Sequence, residues 1–186
     1  MGEKKEILTV RDEPIIRSVV TKLLDSRKLD EVIVVLGHRA DDVGAALSGV
    51  TDERIELVGN RHYREGMGTS LAHGVSACSW GIDAIIVVLA DAPFFRTRDV
   101  DRLIDAHAAG AAIAVPSYKG RRGHPLLIDG RFREELESLS GDTGARRILA
   151  ENADDVVEVE LEDEGFLVDI DRPEDYEAVK DGIAPR

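Results

Sequence analysis

Two aspartates follow apolar segments at points where β-strands are predicted to end. Asp91 comes just after residues 85–89, an unbroken and mostly β-branched apolar run, and Asp171 closes a second apolar segment at residues 166–171. In open α/β sheets the ligand crevice lies at the carboxyl ends of the strands, so both carboxylates are expected there. Such oxygens can hold a metal ion such as Mg²⁺ against phosphates. The alternative for each aspartate is an N-cap of the next helix.

A polar segment with closely spaced glycines is the second candidate for chemistry. Within residues 60–71, Gly66-Met67-Gly68 stands directly before Thr69 and Ser70. Either hydroxyl is suited to cap a helix that runs to about Cys78. Free backbone N–H groups at a helix start can bind phosphate. The alternative, which the spacing alone favours, is a flexible loop followed by an ordinary cap.

The third candidate is the most basic stretch of the chain, residues 119–125. It follows a buried strand predicted at residues 111–115 and expected to end at Pro116, and it includes Gly123-His124-Pro125. Beside a strand end, such a loop is suited to bind an anionic substrate. A basic hairpin turn with no ligand is the alternative.

These candidates require a framework in which strands and helices alternate. Apolar spacing predicts a helix over residues 14–28, a strand at Val32–Leu36, a helix at 41–47 and a strand at 54–58. That order is typical of a parallel α/β sheet, with residues 85–89 as a strand buried on both faces in its middle. The remaining predicted elements are helices at 99–109, 131–139 and about 145–149, strands at 126–128, 156–161 and 166–171, and a helix from Pro173.

Length, charge and cysteine content limit the functional classes. A chain of 186 residues with 43% hydrophobic residues fits one globular domain. Its 24 basic and 37 acidic residues give a net charge of −13, which argues against nucleic acid and anionic membranes as partners. Cys78 is the only cysteine, so no internal disulfide or cysteine metal cluster is expected. No signal peptide or membrane span is evident, which predicts a cytoplasmic protein.

Taken together, five motifs resemble those of the MobA-like nucleotidyltransferases, and most of all the branch that acts on molybdopterin. They occur in the family's order over about residues 60–176, and the third and fourth favour the cytidylyltransferase side of the family. The motifs are Asn60 with Gly66-Met67-Gly68-Thr69-Ser70-Leu71, then Asp91-Ala92-Pro93, then Gly123-His124-Pro125, then Gly141-Asp142-Thr143-Gly144-Ala145-Arg146, and finally Asp169 to Tyr176 in the form Asp-Ile-Asp-x-Pro-Glu-Asp-Tyr.

The start of the chain departs from the family pattern. Family members open with a strand and a nucleotide loop of the form L-A-A-G-x-S-x-R-M-G-x-x-K, whereas this sequence begins at Met1 with only the end of that signature, and Lys5 takes the place of its lysine. We therefore expect a single domain over residues 1–186 that is N-terminally incomplete, through a misassigned start or true truncation. The sheet should then have a gap flanked by apolar edges.

The resemblance implies a mostly parallel, Rossmann-like three-layer α/β sandwich and transfer of a nucleoside monophosphate. The donor would be CTP or GTP with Mg²⁺ as cofactor, the acceptor a molybdopterin-like phosphate compound, and CMP the group transferred. Asp91 and Asp171 would hold the metal ion, and Lys5 would offset triphosphate charge. The residues that the resemblance places at the nucleotide or acceptor are Asn60, Gly66, Met67, Gly68, Ser70, Pro93, Gly123, His124 and Pro125.

Two other functions remain open from the sequence. One is a non-catalytic binding or regulatory relative that keeps the fold without the nucleotide loop. The other is a sugar-phosphate nucleotidyltransferase, which would share the fold and the aspartates, although such enzymes usually carry additional C-terminal sequence.

Overall fold

Residues 8–170 and 173–180 are described by the computed structural model, and in them helices alternate with strands as predicted. The strands are β1 (Thr9–Val10), β2 (Glu13–Pro14), β3 (Val32–Leu36), β4 (Ile55–Gly59), β5 (Ala84–Val87), β6 (Ile113–Tyr118), β7 (Arg121–Arg122), β8 (Leu126–Asp129) and β9 (Val156–Glu160). The helices are α1 (Ile15–Leu24), α2 (Ala40–Ala46), α3 (Met67–Ala77), α4 (Thr97–Ala108), α5 (Arg133–Glu137), α6 (Arg146–Glu151) and α7 (Pro173–Val179). Within this part of the chain, none of the helices has the length and apolar character needed to cross a membrane.

The principal strands form two separate sheets. β3 and β4 pair in parallel, with Val32 opposite Ile55. The larger sheet has the order β5-β8-β6-β7, and β9 pairs with β6 in parallel. Among the described strands no ladder joins β3 to β5.

Helices cover the larger sheet on both faces, because its strands alternate their side chains between two apolar layers. Ile113 and Val115 of β6 point into a cluster with residues of α3, α5 and α6. Ala114, between them, packs with Leu103 of α4 on the other face. This arrangement is the predicted three-layer sandwich, in which strands β6 and β8 are buried on both sides.

Helix α1 is amphipathic as predicted but shorter. Its buried residues recur at helical spacing: Ile15, Ile16, Val19, Val20 and Leu23. The helix ends at Leu24 rather than at residue 28, because the guanidinium of Arg54 donates hydrogen bonds to the carbonyls at its C-terminal end. Nη2 donates to Leu24 O at 2.5 Å and Nη1 to Ser26 O at 2.8 Å.

Three predicted strands differ in the structure. The strand predicted in the middle of a parallel sheet at residues 85–89 covers Ala84–Val87, and among the described strands it stands at the end of the larger sheet, antiparallel to β8. Asp91 follows in a turn rather than directly after the strand. Pro116 does not end β6, which continues to Tyr118 because the Pro116 carbonyl accepts from Gly123 N–H at 3.2 Å. The predicted strand at 166–171 is also wrong, since Gly165–Leu167 is a 3₁₀ turn and residues 168–170 join no ladder.

Strand β9 confirms the prediction of an exposed sheet edge. Among the described strands it pairs with β6 alone, and Val157 is 44% exposed. The acidic side chains that alternate with its apolar residues face outward, where Glu158 accepts from Arg122 and Glu160 accepts from Ser117 Oγ.

Candidate active site

Asn60 connects the end of β4 to the start of α3. Its backbone N–H donates to Leu36 O at 2.7 Å, which extends the β3–β4 pairing by one residue. The side chain is buried, at 5% exposure, and its Nδ2 donates to Thr69 Oγ1 at 3.1 Å and to Ser70 Oγ at 3.0 Å. Its Oδ1 accepts from His62 N–H at 2.8 Å. Every polar atom of this buried amide therefore serves to fix the loop that leads into α3.

The helix start differs from the prediction that Thr69 or Ser70 caps it. α3 begins at Met67, and Gly66 is its N-cap residue with φ 117° and ψ 168°, a conformation that favours glycine. The Thr69 hydroxyl points backward and donates to Gly66 O at 2.9 Å, so it does not cap the helix. Fewer backbone N–H groups are available to bind a phosphate at this helix start than the sequence predicted, because Gly68 N–H already donates to Gly141 O at 2.8 Å.

The glycines at the start of α3 allow it to touch the loop at residues 140–144. A Cβ on Gly66 would lie 2.1 Å from the carbonyl carbon of Gly141, and one on Gly68 would lie 2.7 Å from Thr143 O. On the opposite side of this contact, a Cβ on Gly144 would lie 2.9 Å from Met67 Cε. Met67 itself is 52% exposed. The two glycine-containing motifs are thus in direct backbone contact.

The Gly123-His124-Pro125 turn leads from β7 into β8. A Cβ on Gly123 would lie 2.7 Å from the Phe166 ring, so this glycine allows the C-terminal segment to pack against the turn. Pro125 is buried and follows a cis peptide bond. His124 is partly buried. Desolvation, and secondarily the charge of Arg146 near the start of α6, lower the pKa of its imidazole. At neutral pH the imidazole of His124 is therefore uncharged.

Asp91 lies in the turn after β5, next to the segment that leads to Asp171. The carbonyl of Asp91 accepts from Ile170 N–H at 3.0 Å, and the Asp91 side chain is partly buried. A little further on, a Cβ on Gly165 would lie 2.6 Å from Phe94 O, so the two segments are in contact at two points. Pro93 is buried within the same turn. Asp171 and Lys5, the other predicted ionic residues, lie outside the described residues.

Contacts and one electrostatic effect link the five motifs. Asn60 bonds to the start of α3, which touches the loop at residues 140–144. That loop leads to Arg146, whose charge acts on the imidazole of His124. The turn of His124 packs on Phe166, whose segment ends on Asp91. The loop at 140–144 was recognised as a motif but not predicted as a site segment. The sequence signal was that both segments contain two closely spaced glycines, Gly141 and Gly144 in the loop and Gly66 and Gly68 at the start of α3, which allow the two segments to approach closely.

The donor groups fit a metal ion held partly by substrate. The described residues contain no group of three or more His, Cys, Asp or Glu side chains arranged to hold a metal ion. Mg²⁺ normally needs only one or two protein carboxylates, because phosphates and waters complete its octahedron. Asp91, beside the segment that leads to Asp171, matches that smaller requirement.

Comparison with known proteins defines the family. A sequence profile of the MobA-like NTP transferase domain matches residues 1–156. The chain belongs to the MobA-like NTP transferase family. As a member of this family it is a nucleotidyltransferase, as the resemblance predicted.

Relatives of this MobA-like protein carry different names. The purine catabolism protein PucB of Bacillus subtilis (strain 168) is 31% identical, over 97% of this chain and 89% of the relative. The nicotine blue oxidoreductase of Paenarthrobacter nicotinovorans is 34% identical, over 77% and 72%. The molybdenum cofactor cytidylyltransferase of Escherichia coli (strain K12) is 25% identical, over 97% and 89%.

Solved structures confirm the predicted α/β fold class. Rv0371c from Mycobacterium tuberculosis H37Rv matches with a TM-score of 0.82 and 23% identity, covering 98% of this chain and 91% of that one. A nucleotidyl transferase from Methanothermobacter, Mth528, matches with a TM-score of 0.79 and 26% identity, covering 95% and 83%. A second structure of Rv0371c, described as a complex with manganese, matches with a TM-score of 0.77 and 23% identity over 96% and 92%.

Proposed function

We propose that this MobA-like protein transfers CMP from CTP to a phosphorylated acceptor of the molybdopterin class and releases pyrophosphate. The observation that carries the proposal is a pair of close approaches: the glycine pair of α3 touches the loop that leads to Arg146, and the His124 turn touches the segment that reaches Asp91. The choice of base and acceptor is supported by similarity over nearly the whole chain to the cytidylyltransferase of E. coli.

In the proposed reaction a phosphate oxygen of the acceptor attacks the α-phosphorus of the nucleotide. A new P–O bond forms there, the bond between the α-phosphorus and the bridging oxygen breaks, and pyrophosphate leaves with that electron pair. No covalent enzyme intermediate is needed, so alignment and charge neutralisation are the main tasks of the protein. A magnesium ion would supply most of that neutralisation, held by Asp91 and Asp171.

The remaining site residues then bind and orient the substrates. Gly66, Gly68 and Ser70 would face the nucleotide, and Lys5 would offset part of its charge. His124 would contact the acceptor. Because burial keeps His124 neutral, it would orient a phosphate by hydrogen bonding, while Arg146, whose charge acts on the imidazole, would provide the positive charge.

A calorimetric titration tests the proposal directly. The protein is titrated with CTP, GTP and ATP, each with and without Mg²⁺, and pyrophosphate release is then measured with molybdopterin or with a sugar 1-phosphate as acceptor. We expect metal-dependent binding of CTP, and pyrophosphate release with molybdopterin alone.

Other outcomes would identify the competing functions. Binding of no nucleotide by a folded sample would indicate a non-catalytic relative. Release only with the sugar 1-phosphate would indicate a sugar-phosphate nucleotidyltransferase. Oxidation or reduction of nicotine blue without nucleotidyl transfer would instead follow the name of that relative.

A further inference from the structure

Lys22 connects the last turn of α1 to the turn that carries Asp91. Its side chain is partly buried, and its Nζ donates a hydrogen bond to the carbonyl of Pro93. The ammonium also lies 5.7 Å from the centroid of the Phe95 ring, within range of a cation–π interaction. In return, Thr97 Oγ1 donates to the carbonyl of Lys22 at 2.9 Å. The helix and the turn are therefore joined in both directions.

A lysine at this position is not explained by an ion pair. In the part of the chain that the structure describes, no carboxylate lies within ion-pair distance of Lys22 Nζ. Desolvation lowers the pKa of Lys22, with a smaller opposing effect from Glu13 and a further lowering by Arg11. An ammonium in such a place costs free energy that a methionine of similar length would not. What the lysine adds is a hydrogen bond to the Pro93 carbonyl.

That carbonyl belongs to an irregular segment between β5 and α4. Within it the Asp91 carbonyl accepts from Ile170 N–H, and the Pro93 carbonyl accepts from Lys22. The two bonds flank Ala92, which is 2% exposed. Both bonds are accepted by main-chain carbonyls of the turn. They therefore fix the direction of the Asp91 side chain, and the carboxylate takes no part in either bond.

We propose that Lys22 is a positioning residue for Asp91: its bond to the Pro93 carbonyl holds the Asp91 carboxylate where it binds the metal ion. The inference rests on the proposed metal-dependent nucleotide binding. Lys22 itself acts through the turn and touches neither metal nor substrate. Loss of the bond should release the turn while leaving α1 and the core in place.

The test compares Lys22→Met, which keeps the length and apolar stem, with Lys22→Arg, which keeps a cationic donor. Lys28→Met is the matched control, because Lys28 pairs with Asp105 on the surface away from the turn. The first measurement is amide hydrogen exchange of the ligand-free proteins at Ala92 and Ile170, whose N–H groups donate to Leu89 O and Asp91 O. The second is the Mg²⁺ concentration that gives half-maximal nucleotide binding.

We expect Lys22→Met to speed exchange at Ala92 and Ile170 about tenfold and to raise the magnesium midpoint by a similar factor. Exchange at Asp129, which lies at the opposite end of β8, should not change. Lys22→Arg should restore most of both properties, and Lys28→Met should match the unmodified protein. If Lys22→Met lacks a cooperative thermal transition, Lys22→Gln replaces it, with the same direction expected.

Unchanged exchange in Lys22→Met would overturn the inference. So would faster exchange with an unaltered magnesium midpoint, or an Lys22→Arg protein as perturbed as Lys22→Met, because packing rather than the bond would then be responsible. If the unmodified protein binds no nucleotide at any Mg²⁺ concentration, the proposed function fails. The exchange measurement alone then decides whether Lys22 holds the Asp91 turn.

Discussion

The backbone N–H of Ile170 donates to the carbonyl of Asp91 at 3.0 Å. This bond brings the segment that leads to Asp171 beside the turn after β5, although the two lie far apart in the sequence. It uses main-chain atoms only, so the carboxylate of Asp91 takes no part in it. Removal of the carboxylate would therefore leave this main-chain bond in place.

Asp91→Ala should abolish magnesium-dependent nucleotide binding and leave the fold intact, because the bond from Ile170 survives the change. Calorimetry and thermal unfolding measure the two effects. Asp83→Ala is the control, since Asp83 at the other end of β5 also accepts through its carbonyl, from Gly130 N–H at 2.7 Å. Unchanged nucleotide affinity in Asp91→Ala would remove this residue from the site.

Gly68→Ala should separate the start of α3 from the loop at residues 140–144. The new Cβ would meet Thr143 O at 2.7 Å and the carbonyl oxygens of Gly141 and Ser140 at 2.9 Å, and backbone cannot move aside as cheaply as a side chain. We expect a loss of about 1–3 kcal/mol in the free energy of unfolding and weaker nucleotide binding.

Gly44→Ala in α2 is the matched control for this change, because a Cβ there has nothing within 4 Å. It should stabilise the protein by about 0.5–1 kcal/mol. Urea unfolding of both variants measures the difference. Equal stability of the two would mean that the contact between the glycine motifs is loose in solution.

Asn60→Ala should destabilise the protein by about 1–3 kcal/mol, because it removes the three hydrogen bonds of a buried amide. His62 N–H would lose its acceptor, and Ser70 Oγ would lose a donor. Asn152→Ala, which removes a single bond from Nδ2 to Ile148 O, should cost about 1 kcal/mol or less. The comparison uses the denaturant midpoints of unfolding, provided that the variants share the same denaturant slope. A larger loss of stability in Asn152→Ala than in Asn60→Ala would contradict the role assigned to Asn60.

His124 should make stability depend on pH. Burial lowers its pKa below the ordinary 6.5, so between those two values the unfolded chain binds more protons than the folded one. Its contribution therefore leaves the unfolding free energy unchanged well above pH 6.5 and reduces it as the pH falls through the lowered pKa. His124→Gln should flatten that part of the pH profile.

A proton NMR titration of the imidazole tests the cause of the shift. Arg146→Gln should raise the pKa of His124 part of the way to 6.5, because desolvation, the larger cause, remains. Arg147→Gln is the control, since Arg147 is turned toward Glu151 with its Nε 3.7 Å from Oε1. A His124 pKa at or above 6.5 in the unmodified protein would contradict the burial seen here.

The local pattern of apolar residues was sufficient to predict a strand where the burial of the strand's own side chains determines its position. Val32–Leu36 has the bounds predicted for it, because its apolar residues are buried by α1 and the core. The equally apolar segment at 166–171 was predicted as a strand and is not one. Its Ile170 N–H pairs with a carbonyl in a turn rather than with a ladder, and periodicity carries no information on the partner.

In the candidate site, too, residues within sequence motifs could be predicted, whereas a contact that depends on long-range packing could not. Motif resemblance selected Asn60, Gly66 and His124, but not the reach of Lys22 to Pro93. Lys22 stands in an amphipathic helix where a lysine looks like an ordinary boundary residue. Only the arrangement of α1 against the turn after β5, which depends on long-range packing, gives it a partner.

The contacts between the motifs also set an order of events during synthesis. Asn60 and α3 leave the ribosome well before the loop at residues 140–144 and the backbone of Ile170, which they or their neighbours contact. Contacts of such long sequence separation form slowly, because a large loop must close first. A nascent chain that ends before residue 170 would therefore carry most of the apolar core but no completed Asp91 turn.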